Sequence, residues 1–300
     1  MPDSIDEADM EFSGLAWYQD NLILLPQYPN RQQKDGLGQI YSIEKSTLLE
    51  YIADPDGRPV EFTSILFDDG GLSESLKSFE GFEAIVFNDD QVYLTIETRN
   101  GNPMMGYLVR GLVASDKITL DPESLVELPS QANFSNASDE AVTIFDGKIY
   151  TFFEDNGETQ NPDPKAHVFT SEMAIDSMIT FPQIEYRVTD ATEVQPDGTF
   201  WVMNYFYPGD THLAAASDPI ADKFGKGPTH QASESVERIL ELTLTDGQIV
   251  LSDAAPIQFH LLADGESRNW EGLARLDDVG FIVVTDKFPE TILGFVSALR

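Results

Sequence analysis

Short apolar runs of strand length alternate with polar turns along most of the chain, and helical periodicity is nearly absent. The runs recur as pairs joined by a tight turn of Asp, Asn or Gly, residues that tolerate the backbone angles of a β-hairpin. Five such pairs occur: FSGLAWYQDNLILLP (12–26), FEAIVFNDDQVYLTIE (82–97), DEAVTIFDGKIYTFFED (139–155), DATEVQPDGTFWVMNYF (190–206) and WEGLARLDDVGFIVVTDK (270–287). The pattern predicts an all-β protein that contains five hairpins.

Each hairpin is followed by further strand-like runs, so a unit of about 60 residues recurs five times. Four-stranded units around a common axis form a β-propeller, and the sequence therefore predicts one five-bladed propeller domain over residues 1–300. The fifth unit has only TILGFVSAL after its hairpin and is one strand short. We expect the residues before Ser13 to supply that strand and close the ring, because an open ring leaves an unpaired edge.

The stretch 207–236 is the one long departure from the repeat. It is rich in Gly, Pro, Ser and Ala, a composition typical of loops. We interpret it as a loop insertion within the fourth unit. The alternative is a sixth, degraded blade hidden in the same stretch.

Charge narrows the range of partners. The chain has 52 acidic and 18 basic residues, a net charge of −34, which argues against nucleic-acid or anionic-membrane contact. No apolar run reaches the roughly 18 residues of a membrane helix, and we expect a small-molecule ligand or substrate. The absence of cysteine excludes disulfides and thiolate chemistry. The polar start MPDSIDEADMEF does not resemble an export signal; the acidic composition nevertheless favours an extracytoplasmic or secreted location.

Polar residues recur just before the first apolar run of each hairpin. Aligning the five hairpins gives Ser13, Glu83, Glu140, Thr192 and Glu271. The spacing from these residues to the second strand is nine residues in three units, eight in the fourth and ten in the fifth. The fourth position is the least defined, and Asp190 or Ala191 are alternatives to Thr192.

Equivalent positions on the first strands of a propeller face one another across its axis. Three glutamates that meet there repel one another unless they are protonated, hydrated or neutralised by a cation. Oxygen ligands without His or Cys select a hard cation, and a roomy ring favours calcium over magnesium. The sequence therefore predicts a calcium site formed by these five positions; the alternative is that the acids only begin strands and face solvent.

The order Ser, Glu, Glu, hydroxyl, Glu, one per unit, resembles that of the calcium-activated nucleotidases (apyrases). WEGLARL is similar to the Glu-Gly motif of their last blade, and FEAIVFNDDQVYL and DEAVTIFDGKIY are similar to their second and third blades. The resemblance implies a five-bladed propeller with an axial calcium that hydrolyses nucleoside di- and triphosphates. The chain departs from that family at FFEDNG (152–157), where the family has an aromatic and paired-arginine run that meets phosphates. EGLA also resembles the inner strands of esterase-like phytase and lactonase propellers.

The residues that follow each second strand are predicted to surround one mouth of the ring. A cation beside basic side chains polarises a phosphate or ester oxygen, and a carboxylate activates water. The candidates for the catalytic carboxylate are Glu97, Glu154 and Asp286. The candidates for substrate binding are Arg31, Arg99, Asn204, Tyr205 and Lys287, with Gln27 beside them.

Two functions agree with these patterns. The first is a calcium-dependent hydrolase of a small phosphoester, phosphoanhydride or ester. The second is a binding or scaffold propeller in which calcium only holds the blades together. A solvent-open carboxylate near the ion would distinguish the enzyme from the scaffold.

Overall fold

The structure is a computed structural model that describes residues 10–99, 104–132, 137–263, 265 and 267–298. The described residues form an all-β, propeller-like fold of twenty strands, with a few short helices in the connections. Consecutive strands pair antiparallel in five successive units, which we number 1 to 5 in chain order. All five predicted hairpins are present as the first two strands of these units.

The strands of units 1 and 2 are β1 (Phe12–Tyr18), β2 (Asn21–Pro26), β3 (Gly38–Glu44), β4 (Thr63–Asp68), β5 (Phe79–Asn88), β6 (Gln91–Thr98), β7 (Met105–Ala114) and β8 (Lys117–Leu128). Unit 3 has β9 (Asp139–Phe145), β10 (Lys148–Phe153), β11 (Lys165–Thr170) and β12 (Ile175–Thr180). Unit 4 has β13 (Arg187–Ala191), β14 (Thr199–Phe206), β15 (Val236–Thr245) and β16 (Gln248–Leu251), and the short β17 (Ile257–Gln258) pairs with β15. Unit 5 has β18 (Trp270–Leu276), β19 (Gly280–Thr285) and β20 (Leu293–Ser297).

The units are arranged so that their first strands are neighbours. β5 contacts β1 and β9, β13 contacts β9 and β18, and β18 contacts β1, which makes a cyclic order. The outer strands β4 and β8 pair in parallel, as do β12 and β16, so units 1 and 2 share one sheet and units 3 and 4 another. The described part of the third sheet has three strands, and the predicted closing strand falls largely on residues 1–9, outside the described residues.

Apolar side chains fill the space between neighbouring units. Between units 3 and 4 the ring of Phe152 stacks on Phe181 and Phe200, with centroids 5.1 and 5.6 Å apart. Corresponding buried clusters lie between units 1 and 2, 2 and 3, 4 and 5, and 5 and 1. Burial of these faces holds the units together, since each unit alone would leave apolar side chains in water.

The connections contain the few helices. α1 (Lys45–Ala53) joins β3 to β4, and α2 (Leu72–Ser75) precedes β5. The stretch predicted as a loop insertion lies between β14 and β15 and contains α3 (Pro219–Phe224) with two 3-10 turns. Residues 207–235 are all described and include no strand, so they supply no material for a sixth blade.

Candidate functional site

A β-bulge in each first strand places five residues at one level of the fold. In each hairpin the pairing register shifts by one residue at this point. A bulge leaves an extra residue and re-aims its side chain. Matching the five registers gives Ser13, Glu83, Glu140, Thr189 and Glu271, which we call the axial set.

Thr189, rather than the predicted Thr192, occupies the fourth position. The Ser13 and Thr189 hydroxyls make equivalent hydrogen bonds to the next unit, to the carbonyls of Phe82 and Trp270, each at 2.6 Å. The prediction of Thr192 was wrong because the alignment used the distance to the second strand. The connection of unit 4 from 192 to 198 is longer than the other hairpin turns, so the count ended three residues too late.

Thr192 lies at the other end of the first strands. Its hydroxyl accepts a hydrogen bond from the Trp201 N–H at 3.0 Å and lines a separate cavity of about 270 Å³, which we call the opposite cavity. The alternative residue Asp190 is also excluded from the axial set. Its buried carboxylate accepts hydrogen bonds from the backbone N–H groups of Leu273 at 2.7 Å and Leu15 at 3.2 Å.

A larger cavity of about 970 Å³ opens at the bulged ends of the first strands, and we call it the axial pocket. Four members of the axial set line it: Ser13, Glu83, Glu140 and Glu271. Most of the predicted mouth residues line it as well: Gln27, Arg31, Glu97, Arg99, Tyr205, Asp286 and Lys287. The structure therefore brings together residues that are up to 274 positions apart in the sequence, from 13 to 287.

Two predicted site residues are buried beside the axial pocket instead. Glu154 is fully buried, and its carboxylate contacts the Arg187 guanidinium. The Asn204 amide donates to the Arg187 carbonyl at 2.9 Å and accepts from Arg238 at 2.7 Å. Asn204 directly precedes Tyr205 in β14. Successive side chains of a strand point to opposite faces, so Asn204 points away from the pocket that Tyr205 lines.

The ends of the second strands form another matched level. In the same register the residues are Gln27, Glu97, Glu154, Tyr205 and Asp286. Several of them contact the next unit: the Gln27 amide donates to Glu83 at 3.1 Å, Glu154 contacts Arg187, and the Tyr205 hydroxyl donates to Asn269. These contacts connect polar side chains of adjacent units around the pocket wall.

Arg187 is a pocket residue that the sequence patterns did not reveal. It is mostly buried, contacts Glu154, and donates from Nε to Asp210 at 3.1 Å. It stands two residues before Thr189, as Asn269 stands before Glu271 and Glu11 before Ser13. Alignment of Thr189 at the fourth position would have indicated Arg187, since alternate residues of a strand share a face.

Burial and crowding raise the pKa values of the axial glutamates. Removal from water is the largest cause, and the pKa of Glu83 is raised further by Glu97 and Glu140. The pKa of Glu271 is raised by burial and then by Glu140 and Asp286, whereas Arg187 opposes the shift. Burial also raises the pKa of Glu97 from 4.5 to about 7. The pocket thus concentrates carboxylates whose ionised forms need a compensating charge.

The donor set of the pocket fits a hard cation. Glu140 Oε2 is buried without a hydrogen-bond donor, as an ion-facing oxygen would be. As the side chains stand, no group of three or more acidic or histidine residues in the described ranges encloses a single ion. Glu83, Glu140 and Glu271 could therefore hold an ion together only if their side chains move from these positions.

The cations at the pocket mouth are all paired with carboxylates. Arg31 and Lys287 both contact Glu11. Arg99 lies 3.7 Å from Glu80. The mouth predicted to bind substrate is thus an alternation of basic and acidic side chains.

No helix in the described ranges is long and apolar enough to cross a membrane. No family model matches the chain, and no curated protein matches it. The resemblance to the calcium-activated nucleotidases therefore receives no support from these comparisons.

Solved structures resemble the chain in fold. GH43B of the Bacteroides ovatus xyloglucan PUL is 13% identical, with a TM-score of 0.52 over 96% of this chain and 52% of that one. The GH32 beta-fructofuranosidase BmSUC1 of Bombyx mori is 9% identical, with a TM-score of 0.51 over 92% and 54%. The soluble aldose sugar dehydrogenase of Escherichia coli is 10% identical over 98% of both chains, but its TM-score of 0.47 is too low to support an argument. The chain spans about half the length of GH43B and of BmSUC1, and at these identities the similarity concerns the fold alone.

Proposed function

We propose that the five units are the blades of one five-bladed propeller, closed between unit 5 and unit 1. The cyclic contacts of the first strands and the apolar clusters between all neighbouring units support this arrangement. Among the described residues β20 has no outer neighbour, and the predicted closing strand falls largely on residues outside the described part of the chain.

The function that the pocket supports best is calcium-dependent hydrolysis of a small ester or phosphoester. The observation that carries it is the matched register of Glu83, Glu140 and Glu271, whose carboxylates line one cavity beside Arg187. Glu83, Glu140 and Glu271 would hold the ion, while the Ser13 and Thr189 hydroxyls tie adjacent units together around it. When bound, calcium would supply a Lewis acid for the acyl or phosphoryl oxygen.

Glu97 is the best candidate for the base. It lines the pocket, and in the metal-free chain burial raises its pKa from 4.5 to about 7, toward the range of a base that works at neutral pH. For an ester, water adds to the acyl carbon as Glu97 takes its proton, and the bond to the leaving alcohol breaks as the proton returns to that alcohol. Asp286 also lines the pocket and is the second candidate. Glu154 does not line the pocket and contacts Arg187 instead, so it is not a candidate for this role.

The scaffold function has an observation in its favour. The pocket cations are engaged by protein carboxylates, an arrangement that would serve to hold the units in place. In that case calcium would stabilise the chain, and the pocket would bind without turnover. An extracytoplasmic location stays a prediction in both cases.

Turnover separates the two functions. With calcium, we expect hydrolysis of at least one member of a panel of p-nitrophenyl esters, phosphoesters and lactones, and its loss with a chelator. Glu97→Gln should lower kcat by about 100-fold or more, the typical contribution of a positioned base. The control Asp163→Asn removes an exposed carboxylate that pairs with Lys165 at 2.6 Å and should leave kcat unchanged. Calcium binding without turnover of any panel member would favour the scaffold.

A further inference from the structure

One carboxylate, that of Glu11, forms ion pairs with two cations at the mouth of the axial pocket. Arg31 follows β2 in unit 1, and Lys287 follows β19 in unit 5. The Arg31 guanidinium donates to Oε2 of Glu11, and the Lys287 ammonium donates to Oε1 of the same side chain. The Glu11 side chain is 8% exposed, against 44% for Arg31 and 37% for Lys287. The acid is therefore the buried centre of this triad.

The backbone fixes the position of Glu11. Its φ of +43° lies in the left-handed region, which few non-glycine residues adopt. Its carbonyl accepts a hydrogen bond from the Gln27 N–H at 2.7 Å. Glu11 stands two residues before Ser13, on the pocket-facing side of the chain that enters β1, and it lines the pocket. Its carboxylate is thus presented to the mouth by the fold and does not depend on a flexible surface rotamer.

The other cations of the pocket are engaged in the same way. Arg268 lies 2.6 Å from Glu237, and Arg187 donates to Asp210 at 3.1 Å. The described residues that line the pocket include five cations and eight carboxylates, a formal charge of −3. A divalent cation would still leave the lining negative. An anionic substrate would have to displace a carboxylate from its partner, whereas an uncharged substrate would not.

The pocket mouth also carries two exposed aromatic rings. Tyr207, at the start of the unit 4 insertion, is 54% exposed, and Phe288, in the connection after β19, is 59% exposed. Both line the axial pocket. Exposed aromatic faces at a pocket mouth offer apolar contact area to a ligand with a flat or ring-shaped face.

We propose that the axial pocket takes an uncharged, ring-bearing ester, and that Glu11 determines this specificity by withholding Arg31 and Lys287 from anions. The inference rests on the proposed hydrolase for its substrate class. The withholding of the two cations is a binding property and can be measured without turnover. Replacing Glu11 by Gln would keep the shape of the side chain and remove the negative charge that both cations contact.

The test compares two ligands that share a ring and differ in charge. In the calcium-loaded protein, calorimetry measures the affinity for phenylphosphonate, and turnover is followed with p-nitrophenyl acetate and p-nitrophenyl phosphate. We expect Glu11→Gln to tighten phenylphosphonate binding by about tenfold, the gain from one new charge-assisted contact. The ratio of kcat/KM for phosphate over acetate should rise by a similar factor. The control Asp253→Asn removes the same unit of charge from an exposed pair with Lys223 and should not change either quantity.

The outcomes are separable. Phenylphosphonate affinity that is equal in Glu11→Gln and the unaltered protein overturns the specificity role of Glu11, whether or not either ester is hydrolysed. Equal tightening in Asp253→Asn also overturns it, because the effect would then come from overall charge. A wild-type preference for the phosphate ester, relative to the uncatalysed rates, overturns the uncharged substrate class. Absence of turnover with a tenfold affinity change in Glu11→Gln refutes the hydrolase and supports the proposed role of Glu11 in anion binding.

Discussion

The axial pocket and the opposite cavity are formed by the same first strands but differ in chemistry. At the bulged ends, the backbone presents Glu83, Glu140 and Glu271 to a cavity of about 970 Å³. At the other ends, the strands present mostly apolar side chains such as Leu15 and Leu273 to a cavity of about 270 Å³, and most of its polar lining comes from the connections, as with Lys45 and Glu193. The difference indicates that the bulges, rather than the strands themselves, create the polar site.

Asp190 connects the first strands of three units. Its carboxyl group accepts hydrogen bonds from the backbone N–H groups of Leu15 and Leu273, two residues that line the opposite cavity. Asp190 itself directly follows Thr189 of the axial set. These N–H groups belong to units 1 and 5. Asp190 therefore provides them with a partner and links units 4, 5 and 1.

The largest expected effect comes from removing the Asp190 side chain. Asp190→Ala should lower the free energy of unfolding by roughly 3 kcal/mol, because the buried N–H groups of Leu15 and Leu273 lose their acceptor. Asp190→Asn should cost less, since the amide oxygen still accepts one bond. Urea denaturation of the three proteins measures the free energy of unfolding. A decrease below about 0.5 kcal/mol in Asp190→Ala would show that the fold does not depend on the Asp190 hydrogen bonds.

A second prediction uses the raised pKa values of the axial pocket. Glu97, with a pKa of about 7 in the folded chain and 4.5 ordinarily, keeps its proton at pH values where the unfolded chain has lost it. The metal-free protein should therefore lose stability as pH rises from about 4.5 to about 7. We expect Tm to fall by at least a few degrees over this window in chelator, and calcium to flatten the slope. A Tm that rises with pH in chelator would contradict the assignment.

The two threonines of unit 4 sharpen the contrast between the cavities. Thr189→Val loses the bond to the Trp270 carbonyl, and Thr192→Val loses the bond from the Trp201 N–H. Each should cost about 1 kcal/mol of stability. Only Thr189→Val should weaken calcium binding, measured by calorimetry. A larger effect on calcium from Thr192→Val would restore the spacing-based alignment.

The smallest effect is expected at the opposite cavity. Lys45 pairs with the exposed Asp277 at 3.0 Å, and Lys45→Ala should change stability by less than about 1 kcal/mol. Its calcium affinity should equal that of the unaltered protein. A weakened calcium affinity in this variant would mean that the two ends of the fold are coupled.

The hairpins and most of the pocket could be predicted because they depend on local patterns. Strand alternation and turn residues identified the five units, and nearly equal spacing identified Glu83, Glu140 and Glu271. Thr189 was missed because the hairpin connection of unit 4 is longer, and Arg187 was missed with it. The pairing of Glu11 with Lys287 could not be predicted, since it joins residues 276 positions apart through the cyclic arrangement of the units.

Calcium titration by calorimetry tests the central claim most directly. The claim is that Glu83, Glu140 and Glu271 form one cation site because the bulges give them the same register. The account predicts one calcium bound per chain, and no detectable binding after all three are replaced by Gln. It also predicts that in chelator the triple variant is at least as stable as the unaltered protein, because like-charge repulsion is removed. Calcium binding of unchanged affinity in the triple variant, or no binding in the unaltered chain, would contradict it.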